Sequence, residues 1–420
     1  MTTVSKPAAD ETVGPNTRTL AVLDTTPAYL VGVMPAAEAT SGVGRRRYLH
    51  AGPPLGDDPL PSPMRGALLG ALVFEGEAAD LAEAQELVDA GDVTVSSCHE
   101  SGGVGAMAGI VTPSMPVVVV ESDAGRRAFS PLNEGLGRAL RFGSNQPDIL
   151  TRLSWIRDVA APLLDAAIGS LPRLDVTTLQ TEGLRRGDEC HNRNVASTAA
   201  LVARLAPALV GSDASRETAA AVLHYASSNP HFFLPFSMAA GKVVADSAHG
   251  IAGSSIVTAI SANGQRVGIR VSGLGDSWFV GDAPVGTPRL FDGFTIDDVH
   301  PMMGDSFITE VIGLGAFAMQ AAPAIASFIG GDPVELGRRI DEMKAITVGR
   351  SSRFLVPHTG FGGTPLGIDV ELVAATGIPP LVNNGLAHRK PGGGQVGAGL
   401  TTLPLDPFVS AAAELRAVTS

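Results

Sequence analysis

The first third of the chain alternates short apolar runs with segments of helical spacing. Met115 to Glu121 contains four consecutive valines after a proline, which predicts a buried strand. Val93 to Ser97 is rich in β-branched residues and predicts a second strand, while Ala78 to Ala90 has apolar residues at helical spacing. Thr19 to Val33 alternates weakly and predicts a strand followed by a loop. Strands that alternate with helices predict an α/β layer over residues 20–147.

The pattern then becomes helical. Between residues 148 and 226 the apolar positions, among them Leu150, Leu153 and Ile156, recur three and four residues apart, which predicts a helical segment. A later stretch, Val311 to Gly331, carries no charge and is long enough to span a membrane. Because neither an aromatic belt nor a basic flank frames it, we expect a buried, glycine-containing helix or a helix break instead.

The last part of the chain predicts strands again. Ile256 to Ala262 and Gln265 to Val271 are joined by an Asn-Gly dipeptide, which favours the tight turn of a β-hairpin. Further strands are predicted near Ile346 to Val348 and Leu381 to Asn383. The sequence therefore predicts an α+β domain over residues 227–420, and a mixed α/β and α+β fold for the whole chain.

Composition narrows the classes of partner. Of the 420 residues, 45% are apolar and 17% are charged, and the formal net charge is −12. A charged fraction this low indicates that much of the chain is buried, in part against other subunits. We therefore expect a homo-oligomer or a larger complex. No basic block with interleaved aromatic residues is present in the sequence, so we expect no nucleic-acid partner.

The N-terminus and the cysteines bear on location. Residues 1–19 are polar and lack the apolar stretch of a signal peptide, so we predict a disordered tail. The chain has two cysteines, Cys98 and Cys190. Two cysteines do not imply a disulfide framework, so we expect a reducing, cytoplasmic location and no association with a membrane.

The densest chemistry lies between two predicted helices, Leu163 to Gly183 and Val195 to Leu209. Residues 187–194 hold two carboxylates, a thiol, an imidazole, two amides and a guanidinium, at a helix start that favours anions. The candidate catalytic residues are Glu189, Cys190 and His191, with Cys190 as the candidate nucleophile. The candidate substrate-binding residues are Asp188, Asn192, Arg193 and Asn194. The alternative is a polar network in which Asp188 or Asn192 caps the next helix.

A second polar segment, residues 97–109, is rich in glycine and follows the strand predicted at Val93 to Ser97. Its backbone N–H groups could bind an anion, with His99 as a candidate catalytic residue and Gly103 and Gly105 as candidate substrate contacts. The segment lacks the pattern of a phosphate-binding loop, and a structural turn capped by His99 explains it equally well. Each cysteine precedes a histidine, which raises zinc as an alternative, but the spacing within each pair differs from that of structural zinc sites.

Three further clusters supply candidate substrate-binding residues. These are Asn133, Glu134 and Arg141, then Asp276, Asp305 and Ser306, and finally His388. Carboxylates, amides and hydroxyls beside glycine can position a ligand amide or a metal, yet turn chemistry also favours Asp beside Gly, and a single His is more often structural. From these patterns we expect neither a metal nor a cofactor.

Several of these runs occur together in the order found in one known family. The runs are Gly187-Asp188-Glu189-Cys190-His191-Asn192-Arg193-Asn194, Met107-Ala108-Gly109-Ile110 to Ser114-Met115-Pro116, Asn133-Glu134-Gly135, Arg141-Phe142-Gly143, Val271-Ser272-Gly273-Leu274-Gly275-Asp276, Gly304-Asp305-Ser306, and Asn384-Gly385 to Ala398-Gly399. They resemble the AllG family, which includes a subunit of oxamate carbamoyltransferase from anaerobic allantoin degradation. The resemblance extends from Leu72 to Phe408 and is weaker before Arg65.

The resemblance implies carbamoyl transfer between phosphate and the nitrogen of oxamate, so that cleavage of oxalurate by phosphate gives oxamate and carbamoyl phosphate. It also implies a complex with two other subunits, one of which resembles the nucleotide-binding chain of succinyl-CoA synthetases. Two other classes stay open at this point. One is a metal-assisted amidohydrolase or lyase acting on a ureido compound, and the other is a non-catalytic assembly subunit.

The resemblance brings no assignment of catalytic residues, so the roles rest on chemistry. Arg193 would bind phosphate or a carboxylate, and the neighbouring amides would bind amide or carbonyl groups. His191 or His99 would move the proton, with Glu189 or Asp188 as the orienting carboxylate.

Overall fold

The computed structural model describes residues 13–328 and 333–419. Helices and strands are interleaved along these residues. The helices are α1 Pro15–Thr25, α2 Ala36–Ala39, α3 Ser62–Phe74, α4 Leu81–Asp89, α5 Pro147–Trp155, α6 Ala161–Gly169, α7 Val176–Arg185, α8 Val195–Val210, α9 Arg216–Ser228, α10 Leu234–Ser247, α11 Ile308–Val311, α12 Pro323–Phe328, α13 Pro333–Ala345, α14 Val370–Thr376 and α15 Asp406–Thr419. The strands are β1 Tyr29–Pro35, β2 Arg47–His50, β3 Thr94–Ser97, β4 Pro116–Glu121, β5 Arg127–Pro131, β6 Val257–Asn263, β7 Arg266–Val271, β8 Phe279–Asp282, β9 Thr287–Leu290, β10 Met303–Gly304, β11 Thr347–Val356, β12 Gly362–Ile368, β13 Leu381–Ala387 and β14 Gln395–Thr402.

The strands form several small sheets rather than one large one. Three sheets have the strand orders β1-β4-β5, β10-β6-β7-β8 and β13-β14-β9, and the remaining strands pair as β11 with β12 and β2 with β3. The pair β2 and β3 is parallel, and the other pairings are antiparallel. The predicted mixed α/β fold is confirmed, although its N-terminal layer combines an antiparallel sheet with one parallel pair.

The hairpin predicted around residue 263 is present. Strands β6 and β7 pair antiparallel, and Gly264 between them has a φ angle of 91°, a conformation that few other residues adopt. The Asn263 side chain accepts hydrogen bonds from the N–H groups of Gln265 and Arg266 at 3.0 and 2.8 Å. The dipeptide thus closes the turn through both of its residues, as its sequence indicates.

Most other predicted elements are confirmed and one strand is misplaced. The helix predicted from Leu163 to Gly183 is also wrong as a single helix, because residues 170–175 separate α6 from α7. Helices α5 to α9 lie between residues 147 and 228, where the helical segment is predicted, and β3, β4, β11 and β13 lie where strands are predicted. The strand predicted within Thr19 to Val33 is misplaced, because α1 covers the first part of that range and β1 begins at Tyr29. Residues 15–19 therefore belong to a helix and not to the predicted tail, whose first twelve residues lie outside the described residues.

Distant contacts explain why α1 forms where the local pattern is weak. Pro15 occupies the first helical position, where its missing N–H costs nothing. The Asn16 side chain donates to Ser255 Oγ at 2.8 Å and to Asp369 Oδ2 at 3.0 Å, and the Thr19 hydroxyl donates to Ser254 Oγ at 2.8 Å. These partners lie more than 230 residues away in sequence.

The hydrophobic core crosses the predicted domain boundaries. One cluster of buried residues includes Val118 from the first segment, Leu201 from the second, and Phe236 and Leu366 from the third. Buried apolar contact of this kind joins helices and sheets into a common core. The division into residues 20–147, 148–226 and 227–420 therefore stays a prediction.

The uncharged stretch Val311 to Gly331 contains the expected helix break. Its residues from Val311 to Met319 are buried, and Gly313 and Gly315 have φ angles of 85° and 58° that end α11 and begin a 3₁₀ segment, Gly315–Ala321. None of the helices in the described residues is long and apolar enough to cross a membrane. The end of the stretch, residues 329–331, lies outside the described residues.

Candidate functional site

Several of the predicted site residues meet around one cavity of about 390 Å³. The histidines and arginines in its wall come from the segment before α8, residues 187–194, from the loop between α9 and α10, and from the loop between β5 and α5. The lining residues are Ala106, Met107, Leu136, Arg141, Phe142, His191, Asn192, Arg193, Val195, Pro230, His231, Leu234, Phe291, Ser306, Ile325, Gly385, Gln395 and Ala398. A concave site with an apolar wall and a few convergent polar groups is the usual form of a small-molecule site.

The segment before α8, residues 187–194, is held in one conformation by its own backbone and by the buried carboxylate of Glu189. Gly187 and Cys190 have φ angles of 99° and 63°, and the Cys190 N–H donates to the Arg193 carbonyl at 3.1 Å. Glu189 accepts from the N–H groups of His191 and Arg193 at 2.6 and 2.7 Å. These contacts fix a tight turn that presents its outer residues to the cavity.

Asp188 caps α8. The N–H and hydroxyl of Ser197 donate to Asp188 Oδ2 at 2.7 and 2.9 Å, and Arg193 Nε lies 3.5 Å from Oδ1. Burial raises the pKa of Asp188, and the bonds from Ser197 oppose that shift. Asp188 is fully buried and does not line the cavity, so the capping alternative replaces the predicted substrate contact.

His191 and Glu310 form a buried pair at the cavity wall. His191 Nδ1 lies 3.0 Å from both carboxylate oxygens of Glu310, and its ring packs edge-on against Phe307. Glu310 also accepts from the N–H groups of Ala316 and Asn383 at 3.1 and 2.8 Å. Because a carboxylate only accepts, His191 Nδ1 carries the hydrogen, which leaves Nε2 for a substrate.

The charges around this pair favour the imidazolium. Burial lowers the pKa of His191, but the charge and hydrogen bond of Glu310, together with the Glu189 carboxylate, outweigh burial, so the net shift is upward. Burial raises the pKa of Glu189 to about 7, against the opposing effect of His191 and the N–H bonds. A histidine in this setting can deliver a proton from Nε2 near neutral pH and take it back in the reverse direction.

Arg193 and Asn192 bring donors to the cavity. Arg193 Nε donates to the Gly187 carbonyl at 3.0 Å, which fixes the side chain at its base and leaves its two terminal nitrogens without a partner in the described structure. Asn192 Nδ2 is buried and also has no partner. A buried donor without an acceptor costs about 1–3 kcal/mol, so a ligand oxygen that accepts from Asn192 Nδ2 would be stabilised there. Asn194 lies behind the turn, where its Nδ2 donates to the His191 carbonyl at 2.7 Å.

Arg141 lines the cavity from a 3₁₀ segment, Leu140–Phe142, in the loop between β5 and α5. Its Nη1 donates to Asn133 Oδ1 at 3.1 Å and its Nη2 to the Gly135 carbonyl at 2.6 Å. Glu134 accepts from the N–H groups of Leu140 and Arg141 at 2.6 and 3.1 Å. Burial lowers the pKa of Arg141 to about 10, so the group stays charged at neutral pH. Asn133 and Glu134 thus position Arg141 and line a neighbouring cavity of about 30 Å³.

Cys190 is placed away from the cavity. Its thiol lies in the hydrophobic core, 3.5 Å from Ser197 Oγ and 3.6 Å from the Gln180 carbonyl. Burial, and then the Asp188 charge, raise the pKa of Cys190 well above its ordinary value. A thiol needs a lowered pKa and access to its target, so the structure contradicts the predicted nucleophile.

The glycine segment after β3 forms a separate buried cluster. Asp305 accepts from the Gly105 N–H at 2.8 Å, and His99 Nε2 lies 3.6 Å from Asp305 Oδ1. Burial lowers the pKa of His99 well below its ordinary value and raises that of Asp305 to about 6. A Cβ on Gly103 would come within 2.3 Å of the Phe129 ring, so packing requires that glycine. These four predicted site residues do not line the cavity, and the N–H groups of Gly103 and Gly105 are already bonded to the Cys98 carbonyl and to Asp305.

The remaining candidates divide between the cavity and the surface. Ser306 lines the cavity. Asp276 is exposed and lies 3.6 Å from Arg270 Nη1, and His388 accepts from the Lys390 N–H at 2.9 Å through Nδ1. Asp276 and His388 are therefore not brought to the cavity, and their predicted substrate contacts are replaced by local pairing. No group of three or more His, Cys, Asp and Glu residues within the described ranges is arranged to hold a metal ion.

Sequence reasoning missed two functional groups, His231, which lines the cavity, and Glu310, which lies behind His191. Glu310 lies 119 residues from His191, although it ends a polar run, residues 304–310, that stands out in the sequence. His231 follows Asn229-Pro230, a polar break between α9 and α10 that signals a loop. His231 Nε2 lies 2.7 Å from the Asn192 carbonyl, a contact that joins this loop to the segment before α8.

Comparisons with known proteins identify the family. A family model described as oxamate carbamoyltransferase subunit AllG matches residues 93–306. A relative from Escherichia coli (strain K12), named oxamate carbamoyltransferase subunit AllG, is 43% identical over 389 residues, which span 91% of this chain and 92% of that protein. The chain belongs to the AllG family. Of the residues that line the cavity of this AllG-family chain, His191, Arg193 and His231 fall inside the matched residues. Glu310, the partner of His191, lies just beyond them.

Two further proteins are similar over nearly the whole AllG-family chain. An uncharacterised Escherichia coli (strain K12) protein, YahG, is 38% identical over 406 residues, which span 96% of this chain and 86% of YahG. A crystal structure of a conserved protein of unknown function from Enterococcus faecalis V583 superposes with a TM-score of 0.94 at 40% identity, covering 97% of this chain and 98% of that one. The fold described above is therefore shared with an experimentally determined structure.

Proposed function

We propose that this AllG-family chain is a subunit of a carbamoyltransferase that moves a carbamoyl group between phosphate and the nitrogen of oxamate. The cavity carries the proposal, because His191, which pairs with the buried Glu310, lines it together with two arginines, Arg141 and Arg193. The 43% identical relative is named as a subunit of oxamate carbamoyltransferase. Transfer between two anionic reactants needs cationic clamps and a proton carrier, and the cavity offers both.

The proposed step balances without an added reactant. In the direction that consumes oxalurate, a phosphate oxygen attacks the ureido carbon, and the bond from that carbon to the oxamate nitrogen breaks. The proton of hydrogen phosphate leaves the attacking oxygen, and the departing nitrogen gains one proton. The products are carbamoyl phosphate and oxamate.

Each cavity group has a role in this step. Arg193 and Arg141 bind the phosphate and the substrate carboxylate, because a guanidinium suits planar and tetrahedral oxyanions. Asn192 Nδ2 donates to the ureido oxygen, on which negative charge develops during attack. His191 Nε2 carries the proton between phosphate and the departing nitrogen, and Glu310 holds the ring and stabilises its charged form.

We also propose that the chain works with other carbamoyltransferase subunits in the cytoplasm. The relative's name describes a subunit, and the low charged fraction of 17% supports large interfaces. Both cysteines are free and buried, which suits a reducing compartment. Turnover that requires the partner chains would support this assembly, whereas full activity of the purified chain alone would contradict it.

A matched pair of variants tests the site. Arg193→Ala should lower kcat/KM for phosphate-dependent cleavage of oxalurate by more than tenfold, since one charge-assisted contact is worth about 1.5–3 kcal/mol. Arg186→Ala removes an exposed arginine that pairs with Glu182 outside the cavity, and it should leave turnover unchanged. A loss below tenfold for Arg193→Ala in the assembled complex would show that this arginine is not an anion clamp.

The same assay addresses the metal-assisted alternative. Carbamoyl phosphate formation should persist after treatment with a strong chelator and depend on phosphate concentration. Cleavage that stops with the chelator, returns with a divalent ion and proceeds without phosphate would instead indicate an amidohydrolase.

A further inference from the structure

The cavity contains a second histidine whose hydrogen-bonding state the structure defines. His231 Nε2 lies 2.7 Å from the Asn192 backbone carbonyl, and a carbonyl only accepts, so Nε2 carries the hydrogen. The backbone N–H of His231 donates to Asn229 Oδ1 at 3.0 Å, which fixes the loop that carries the ring. His231 Nδ1 has no hydrogen-bond partner in the described structure, and the residue lines the cavity.

The surroundings keep this ring neutral. Burial, and then the charge of Arg141, lower the pKa of His231 to about 4, in the opposite direction to that of His191. A neutral ring with its hydrogen on Nε2 has a lone pair on Nδ1 and accepts a hydrogen bond there. The two histidines of the cavity therefore differ in kind, because one favours the imidazolium and the other is a fixed acceptor near neutral pH.

The cationic groups that line the cavity with His231, and the unpartnered Asn192 amide, are donors. Arg141 and Arg193 have no acceptor atom, and the unpartnered atom of Asn192 is its amide nitrogen. These groups suit the oxygens of phosphate, carboxylate and carbonyl. A neutral acceptor among such donors suits the part of a ligand that carries N–H instead.

We propose that His231 Nδ1 forms a subsite for the amino group of the transferred carbamoyl unit, so that the cavity selects a primary amide over an acyl group of the same shape. This inference rests on the proposed function and adds a specificity-determining residue to it. An amino group that donates to His231 Nδ1 would orient the carbamoyl plane, with its oxygen free to meet Asn192 Nδ2.

The assignment to the carbamoyl group follows from the protons that each nitrogen exchanges. The oxamate nitrogen gains or loses a proton during transfer, so it belongs beside a group that can carry one, and His191 has that property. The carbamoyl amino group keeps both of its hydrogens throughout. It therefore belongs beside an acceptor that does not become protonated near neutral pH, which describes His231.

Two pairs of ligands distinguish recognition of the carbamoyl amino group from recognition of the oxamate amino group. Acetyl phosphate has a methyl group where carbamoyl phosphate has NH₂, and pyruvate has a methyl group where oxamate has NH₂. The transfer assay in the direction of oxalurate synthesis, with the assembled complex, gives the preference for carbamoyl over acetyl phosphate as a ratio of kcat/KM. Titration calorimetry on the chain gives the same preferences as ratios of affinity, without requiring turnover.

Two substitutions distinguish the two roles of His231, which are accepting from the ligand through Nδ1 and donating to the Asn192 carbonyl through Nε2. His231→Asn keeps an amide oxygen near the position of Nδ1 but loses the reach to the Asn192 carbonyl. His231→Gln keeps a donor near the position of Nε2 but moves the acceptor. We expect His231→Gln to reduce the preference for carbamoyl over acetyl phosphate by about tenfold, and His231→Asn to keep it within about threefold of wild type.

The outcomes are distinct. Unchanged preferences in both folded variants, or equal losses in both, would overturn the subsite, and equal losses would mean that His231 acts only as an anchor. A loss confined to the oxamate-over-pyruvate preference would overturn the assignment to the carbamoyl group. If the variants do not fold, equal affinity of the wild-type chain for carbamoyl and acetyl phosphate would overturn the proposal. A complex that turns over neither phosphate would refute the proposed function, while the titration would still test the subsite.

Discussion

Replacing Glu310 with Gln tests the proton carrier with little disturbance of shape. Glu310 Oε1 accepts from the N–H groups of Ala316 and Asn383, and a Gln oxygen can keep both bonds. The Gln nitrogen would take the place of Oε2, next to Thr309 Oγ1 at 2.8 Å. That hydroxyl can accept from it, because its own hydrogen can go to the Ser306 carbonyl at 2.8 Å. The variant should therefore fold and lose one charge.

The loss of charge should lower the pKa of His191. A hydrogen bond to a charged group contributes about 1.5–3 kcal/mol and a neutral one about 0.5–1.5 kcal/mol, so the imidazolium loses roughly 1–2 kcal/mol of stabilisation. One pKa unit corresponds to about 1.4 kcal/mol, so we expect a fall of about one unit. Without the charge of Glu310, the effect of burial on His191 dominates, and the imidazolium that donates the proton becomes scarce near neutral pH.

The pH dependence of oxalurate cleavage by the complex reports this change. In the wild type, activity should fall as the pH rises through the raised pKa of His191, above its ordinary value of 6.5. In Glu310→Gln, that fall should occur about one unit lower, with kcat at pH 7.5 reduced by up to about tenfold, because one pKa unit changes the imidazolium population by at most that factor. Asp276→Asn, which removes an exposed carboxylate outside the cavity, should match the wild type. A wild-type profile in folded Glu310→Gln would refute the role of the pair.

Three further predictions follow from the segment before α8. Cys190→Ala should keep turnover within about threefold and lower the free energy of unfolding by about 1 kcal/mol, because a buried thiol is removed; a hundredfold loss of turnover in folded protein would contradict this. Asp188→Ala should cost about 1–2 kcal/mol by uncapping α8, measured by urea denaturation, and an unchanged midpoint would count against the cap. The pKa of Glu189 is about 7 in the folded chain against 4.5 when exposed, so its contribution to stability is complete below pH 4.5 and is lost as the pH rises through about 7. Glu189→Gln should flatten that slope in unfolding experiments, and an identical slope would contradict the raised pKa.

The sequence predicts the features that depend on neighbouring residues. The β6–β7 hairpin follows from the turn preference of Asn263-Gly264, and the helical segment follows from periodic apolar positions. The run of residues 187–194 also stands out by composition alone, and His191, Asn192 and Arg193 do reach the cavity. Local chemistry thus locates the centre of the candidate site.

What the sequence could not show depends on distant contacts. Glu310 orients His191 across 119 residues, and His231 meets the Asn192 carbonyl across 39. Cys190 has the sequence context of a reactive thiol, yet its side chain packs inward, and burial decides its chemistry. In the glycine segment after β3, the Gly105 N–H, which the sequence suggested for an anionic ligand, donates to the chain's own Asp305.

The most direct test of the central claim follows the carbamoyl carbon. Oxalurate labelled with ¹³C at the ureido carbon would be incubated with the chain and its candidate partner subunits, with and without phosphate, and monitored by NMR. The account predicts a carbamoyl phosphate signal that appears only with phosphate and is abolished or strongly reduced in His191→Gln. Labelled carbamate or bicarbonate formed at the same rate without phosphate, and no carbamoyl phosphate with it, would contradict carbamoyl transfer.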